Sequence, residues 1–367
     1  MISMNILFDY RMASWSGIGR YSTGLAMALA QRDDVNLSLV VMADDPLPKA
    51  LAGLELHPCS KHPLSTGGFR ELRDATLCSG ADLLHCAHIS TPNLRAGKQQ
   101  PIPIVTTLHD LTPLIIRGVM PSLAKRAVYS GLNSRAIDWS SALITPSQHT
   151  AHDIERLFPK SADKLTAIPL AADELLAVEP ARPAVMDALR QGSASFILSM
   201  GNTKPHKDLP TLLKAFEQIA DSHPNLSLLL VGKEEPGYLD TYLPADLQGR
   251  VLFTGYVEDA HLVWLYRHAK AFVFPSQYEG FGLPPLEAMS FGCPVIAADA
   301  ASLPEVVGDA GLLVPAGDTD GFAAAISRVL DDADCASQLE DLGLTRSRQF
   351  AWFDTAEKSV DVYRSVL

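Results

Sequence analysis

At 367 residues, 47% of them hydrophobic and 20% charged, the chain exceeds the size at which a single core keeps growing, so two globular domains are expected. A formal net charge of −12 with no long basic run argues against wholesale binding to nucleic acid or anionic lipid and leaves room only for a local basic patch. Five scattered cysteines with no C-x-x-C pair read as reduced, mostly buried thiols of a cytosolic protein, and no apolar stretch reaches the roughly 18 residues that a membrane-spanning helix needs.

The segment from Met1 to Asp9 lacks a basic region and a cleavage site, and reads as a first strand rather than a signal peptide. Short apolar strands then alternate with amphipathic helices, the pattern of right-handed βαβ units on a parallel sheet. In the first half the strands are predicted over 5–8, 37–42, 81–85, 102–108 and 142–145, with a helix over 19–32. Ser147 is placed to cap the helix that follows the last strand. Between Arg117 and Arg135 there are four basic residues and no acidic one, accompanied by Met120, Leu123, Val128 and Leu132. That stretch fits either a solvated helix face or a helix that touches anionic lipid or a lipid-pyrophosphate acceptor.

A linker is expected over 175–192, where Pro180 and Pro183 accompany several alanines and little strand character. The second half repeats the alternation more cleanly. Its strands are predicted over 196–200, 226–231, 250–254, 271–274, 294–298 and 311–314, and its helices over 209–220, 259–268, 285–291 and 321–330. Ser302 and Glu305 around Pro304 have the spacing of a capping box. The last segment, 351–367, is amphipathic, with Trp352, Val360, Tyr363 and Val366 as its apolar stations.

Doubly wound sheets bind ligands at the carboxyl ends of their strands, so the polar residues there are the candidates for chemistry. The richest string is Ala271-Phe272-Val273-Phe274-Pro275-Ser276-Gln277-Tyr278-Glu279-Gly280-Phe281-Gly282-Leu283-Pro284-Pro285-Leu286-Glu287, in which a strand ends, a glycine loop follows and a proline-started helix begins. Seven residues separate the two glutamates, which puts Glu279 in the loop and Glu287 in the first helical turn. Gly280 and Gly282 allow positive φ and close backbone approach, and their amides before a helix N-terminus make an anion site suited to a diphosphate. Spacing alone also fits a helix-stabilising Glu287 and a solvated Glu279. In Gly201-Asn202-Thr203-Lys204-Pro205-His206-Lys207, Lys207 stands where it could neutralise phosphate or simply be solvated. Gly17 and Gly19 lie between the first strand and first helix, but Ser22 stands where a G-x-G-x-x-G dinucleotide fingerprint needs its last glycine. His109 and Asp110 end another strand, and either could polarise a reacting hydroxyl. Tyr256 follows the strand over 250–254, within reach of a base.

The string from Tyr278 to Met289 resembles the E-x7-E signature of glycosyltransferase family 4, a large group of retaining GT-B enzymes, and matches its mannosyltransferase-like branch closely. With the other motifs, the resemblance covers nearly the whole chain. It implies an α/β GT-B fold: two Rossmann-like doubly wound domains facing a central cleft that closes by hinge motion. The acceptor domain would be 1–175, with the C-terminal helix of 351–367 crossing back to it, and the donor domain 176–350. It also implies that Glu287 binds the ribose hydroxyls of a nucleotide sugar and Glu279 the sugar hydroxyls. Gly280, Phe281, Gly282 and Leu283 would face the donor from the loop. Family members clamp the diphosphate with an Arg and a Lys; Lys207 fits the Lys, whereas Asn202 stands in place of the Arg and Lys204 is the alternative second cation. Gly17 and Gly19 would let the N-domain approach the donor, with His109 beside the sugar and Asp110 near the acceptor.

The implied activity is transfer of a hexose, with mannose from GDP-mannose first in order, to a saccharide or lipid-linked saccharide in cell-surface polysaccharide synthesis. Retention would arise by front-face attack, in the cytoplasm or at the inner face of the membrane. No D-x-D pair occurs at a strand end, so amides and Lys207 are expected in place of a metal, and no cofactor beyond the nucleotide-sugar co-substrate. Another nucleotide sugar (UDP- or ADP-linked) or a non-catalytic nucleotide-sugar-binding protein are the alternatives. An NAD-dependent oxidoreductase is disfavoured by the missing fingerprint.

Overall fold

The computed structural model describes residues 3–95, 101–187 and 195–367. It divides into two compact units, the first made of Met1–Leu170 and Ala351–Leu367, the second of Ala171–Phe350.

In unit 1 the strands are β1 (Met4–Asp9), β2 (Val35–Met42), β3 (Glu55–Cys59), β4 (Leu83–Cys86), β5 (Ile104–Thr107), β6 (Ala142–Thr145) and β7 (Leu165–Ala167). They form a seven-stranded parallel sheet in the order β3-β2-β1-β4-β5-β6-β7. The helices are α1 (Ser16–Ala30), α2 (Thr66–Cys78), α3 (Thr112–Ile115), α4 (Leu123–Trp139) and α5 (Gln148–Leu157). Interior strands are apolar on both faces because helices cover both, and Leu7 and Leu84, paired in register, are fully buried. β3 and β7 went unpredicted. Both are edge strands, and β3 reads Glu-Leu-His-Pro-Cys with only Cys59 buried. A proline is tolerated there because an edge leaves its side of the ladder unpaired. The basic stretch from Arg117 does not form one helix; the long helix α4 begins at Leu123. Ser147 caps α5, its hydroxyl accepting from Thr150 N at 3.1 Å.

In unit 2 the strands are β8 (Ser195–Met200), β9 (Leu226–Val231), β10 (Val251–Phe253), β11 (Phe272–Phe274), β12 (Val295–Asp299) and β13 (Gly311–Pro315), ordered β10-β9-β8-β11-β12-β13 and all parallel. The helices are α6 (Leu209–Ile219), α7 (Tyr238–Tyr242), α8 (Ala245–Gln248), α9 (Asp259–His268), α10 (Leu283–Ser290), α11 (Leu303–Val307), α12 (Thr319–Asp331) and α13 (Ala333–Ser347). Short 3-10 turns at 173–177 and 184–187 overlap the predicted linker, of which 188–192 lie outside the described residues, as do Met1 and Ile2 of the predicted first strand.

The last helix, α14 (Trp352–Val366), returns to unit 1. Trp352 lies against α1 where a Cβ on Gly24 would stand 2.1 Å from its ring. Tyr363 Oη is 2.6 Å from His85 Nδ1, and Thr355 Oγ1 donates to Pro169 O at 2.8 Å. Among the described residues no helix is long and apolar enough to cross a membrane.

Candidate functional site

Strand order reverses between β8 and β11 in unit 2, the place where an open α/β sheet presents a crevice. The strands on the β8 side each run into glycine: Gly201 after β8, Gly232 after β9, and Gly255 just past β10. Gly232 has φ +143, and a Cβ there would lie 3.0 Å from Gly201 O, so only glycine lets these two turns pack backbone to backbone. Gly232 also bridges Gly255. The run of strand-end glycines was legible in the sequence and went unused.

The loop after β8 carries the predicted phosphate ligands. Asn202 Oδ1 accepts from Lys204 N at 3.0 Å, an Asx turn that shapes the loop, and Lys204 is exposed. Lys207 Nζ donates to Glu279 Oε1 at 2.6 Å, the two side chains being 19% and 16% exposed. The cation expected to meet phosphate is thus held on the carboxylate expected to meet the sugar. Backbone and side-chain bonds stitch the two loops together: Gln277 N and Ser276 Oγ both donate to His206 O, at 2.7 and 3.1 Å. Lys233, beside Gly232, is an exposed cation at the end of β9 that the motif reading did not single out.

Past Glu279 the chain turns at Gly282, whose φ of +120 demands glycine; Gly280 does not share it, contrary to expectation. Phe281 buries its ring 5.9 Å from that of Phe350, so only its backbone is offered to a ligand. α10 opens at Leu283 with Pro284 second. Glu287 is therefore its fifth residue and lies beyond the first turn, a correction to the predicted placement. The helix dipole weakens past that turn, so it does not account for this carboxylate. Glu287 is 3% exposed and accepts from Tyr266 Oη at 2.9 Å. Tyr266, on α9, carries no motif signal that could have announced it. The predicted capping box is overturned as well. Ser302 makes no side-chain cap; its hydroxyl donates instead to Glu279 O at 2.9 Å and Phe281 O at 2.6 Å. Tyr256 is 92% exposed, so burial does not fix its ring as expected near a base.

In unit 1 the order reverses between β1 and β4. Asp9, at the end of β1, accepts from Arg11 Nε and Nη2 at 2.7 and 2.8 Å and from Ser90 Oγ at 2.6 Å, while Arg11 Nη1 donates to Gly68 O at 2.8 Å. Burial raises the Asp9 pKa, but the Arg11 charge and these hydrogen bonds more than offset it and hold the carboxyl below its usual range. Gly17 and Gly19, predicted in a turn, lie in the first residues of α1, because the helix already starts at Ser16. Gly19 packs tightly: a Cβ would stand 2.1 Å from Ala13 O, whereas Gly17 faces open space.

His109 follows β5. Its Nε2 donates to Ala87 O at 2.8 Å, which leaves Nδ1 as the acceptor. Burial lowers its pKa, although the Ala87 hydrogen bond and the Asp110 charge push the other way, and the ring is neutral near pH 7. Asp110 Oδ1 accepts from Thr112 N at 2.9 Å, so one of its oxygens is committed to starting α3. Sequence reading passed over two further histidines. His85, fully buried, meets Tyr363 through Nδ1 and Thr107 Oγ1 at 2.9 Å through Nε2; burial, then the neighbouring His109, push it down to about 3. His88 lies 5.9 Å from His109 between ring centroids and is pushed to about 3 by burial and by His109. Its buried Nδ1 has no hydrogen-bond partner among the described residues. The usable signal was His-x-x-His at the end of a predicted strand. No group of three or more His, Cys, Asp or Glu side chains that could hold a metal occurs among the described residues.

Two family models match the chain: one described as Glycosyltransferase Family 4 over residues 15–174, the other as Glycosyl transferases group 1 over residues 187–343. O-antigen chain mannosyltransferase B of Escherichia coli is 32% identical over 268 residues, 71% of this chain and 70% of that protein. A glycogen synthase of Mycobacterium tuberculosis is 28% identical over 293 residues, 77% of this chain and 68% of that protein. Among solved structures, Anabaena HepE in complex with UDP-glucose has the same fold, with a TM-score of 0.73 at 21% identity, covering 99% of this chain and 100% of that one.

Proposed function

This chain belongs to glycosyltransferase family 4, and on that premise we propose that it transfers mannose from GDP-mannose, with retention, to a saccharide or lipid-linked saccharide acceptor in cell-surface polysaccharide synthesis. That it is a glycosyltransferase of GT-B fold follows from the family; the sugar, base, stereochemistry and acceptor are the proposal. The observation that supports a donor site in unit 2 is the Lys207–Glu279 pair at 2.6 Å, set at the switch point with the Gly282 turn and buried Glu287 beside it in the same segment, whereas mannose and GDP rest on the similarity to mannosyltransferases.

In this reading unit 2 holds the donor. Glu287, fixed by Tyr266, takes the ribose hydroxyls, and Glu279 takes sugar hydroxyls and orients the anomeric carbon. The bond from that carbon to the β-phosphate oxygen breaks while the acceptor oxygen bonds to the same face. The acceptor proton passes to the departing phosphate. Negative charge therefore grows on the β-phosphate, where Lys207 and the amides before α10 stabilise it without reorganisation. These donors would do a metal's work, so turnover should survive excess EDTA. Unit 1 would take the acceptor, with neutral His109 polarising a hydroxyl through Nδ1.

A panel of nucleotide sugars, scored for thermal stabilisation and slow hydrolysis, tests the donor. GDP-mannose should rank first. The glycogen synthase similarity supports a second reading with an ADP- or UDP-linked hexose, and a higher rank for either would replace mannose. Glu279→Ala should cost turnover while leaving nucleotide binding, whereas a non-catalytic binder would have no turnover to lose. Stabilisation by no nucleotide sugar would defeat the proposal as a whole. Peripheral membrane contact through 117–135 belongs to the same reading: Leu123 and Val128 are 79% and 64% exposed on α4, near exposed Arg117 and Lys125. Co-sedimentation with anionic but not zwitterionic vesicles is the expected result, and no sedimentation with either would refute it.

A further inference from the structure

The loop that carries Glu279 is fastened from both sides by residues outside it. On one side Gln277 N donates to His206 O at 2.7 Å and Gln277 Nε2 to Asp208 Oδ2 at 2.9 Å. On the other, Ser302, fully buried, donates to both Glu279 O and Phe281 O. Each fastening sits at strained backbone. Asp208 has φ +48 and Ala301, immediately before Ser302, has φ +51; among the described residues these are the non-glycine positions with positive φ. Such conformations persist only where the surroundings over-determine them, and they cluster at functional sites.

The direction of the Ser302 contacts has a geometric consequence. In a trans peptide the carbonyl and the next N–H point opposite ways. Drawing the Glu279 and Phe281 carbonyls onto one hydroxyl therefore turns the Gly280 and Gly282 N–H groups away from Ser302. One side chain thus sets two peptide planes of the turn and the backbone from which Glu279 projects toward Lys207.

We infer that Ser302 is a positioning residue of the donor site, fixing the direction of the glycine amides and the placement of Glu279 on Lys207. This rests on the reading of unit 2 as the nucleotide-sugar site. Ser302 itself is buried beneath the loop, so it acts through Glu279 and the amides rather than on the sugar.

Ser302→Ala, with Ser302→Thr as the variant that keeps the hydroxyl, is measured in two ways. Hydrogen exchange over 275–286 reads the fastening without any substrate. Ser302→Ala should speed exchange of these amides about 10-fold or more, and Ser302→Thr should restore most of the protection. Turnover of the nucleotide sugar used by the wild type is followed at a temperature where all forms are folded. There, kcat should fall about 10- to 100-fold for Ser302→Ala and the Kd for the nucleoside diphosphate should rise with it, while the Kd for the free nucleoside changes less than about 3-fold because Glu287 and Tyr266 are untouched. Unchanged exchange overturns the fastening. Faster exchange with wild-type kcat overturns the positioning role, and a Ser302→Thr variant as slow as Ser302→Ala overturns its assignment to the hydroxyl. A wild type that turns over no nucleotide sugar counts against the functional reading instead, and the exchange result still decides whether Ser302 holds the loop.

Discussion

Both units share the strand order 3-2-1-4-5-6, unit 1 adding one more strand, and each holds a carboxylate–cation pair at its switch point. In unit 1 the pair is Asp9–Arg11, 2.7 Å apart with side chains 1% and 0% exposed; in unit 2 it is Glu279–Lys207, 2.6 Å apart with side chains 16% and 19% exposed. The buried pair satisfies itself: Ser90 and Gly68 take up further hydrogen-bonding capacity, so it braces the turn after β1. The second pair is reachable from solvent and lies between a glycine-lined loop and a helix start. A carboxylate–cation pair at a switch point therefore does structural work when sealed and stays within reach of solvent when only partly buried.

The sharpest way to break this comparison is to remove each cation in turn. Arg11→Ala leaves Asp9 as an uncompensated buried charge and should cost about 3–5 kcal/mol in urea unfolding. Catalysis should be little changed at a temperature where the variant stays folded. Lys207→Ala should do the reverse. Expected is a kcat loss of about 10²- to 10³-fold, equivalent to about 2.7–4 kcal/mol of transition-state stabilisation, with stability changed by only about 1 kcal/mol because the pair is partly exposed. If Lys207→Ala unfolded the protein and Arg11→Ala spared it, the contrast between the two pairs would be lost.

A smaller effect sharpens the electrostatic side of unit 1. His85 and His88 sit near 3 when folded and near the ordinary 6.5 when unfolded, so below pH 6.5 the unfolded chain binds protons that the folded one refuses. Stability should therefore be fully present above pH 6.5 and fall as pH drops toward 3. The loss should be about 1.5 kcal/mol per histidine between pH 6.5 and 5. His85→Asn should flatten that slope by one histidine's share, read as the pH dependence of the urea midpoint. An unaltered slope would mean that His85 does not stay neutral in the folded state.

Fold class was legible because alternating apolar strands and amphipathic helices state their burial directly. Interior strands such as Leu226–Val231 and Ala142–Thr145 were placed to the residue, while edge strands β3 and β7 were not. A strand with one open side needs neither a continuous apolar run nor a free N–H at every position, so its sequence carries little pattern. The glutamate string was legible too, since glycine, proline and carboxylate each mark a backbone requirement at a fixed spacing.

Side-chain partnership was decided only in three dimensions. Sequence spacing made Ser302 a helix cap for Glu305, yet its hydroxyl reaches back 23 and 21 residues to the carbonyls of Glu279 and Phe281. Lys207 and Glu279 are 72 residues apart, Tyr266 and Glu287 are 21 apart, and His85 meets Tyr363 across 278. By itself the sequence determined which segments form buried strands, where the chain turns and which residue types stand at the strand ends, because those follow from local periodicity and backbone freedom. Which of those residues meet follows from sheet order and helix return, which place distant segments side by side, and that only the tertiary structure decided.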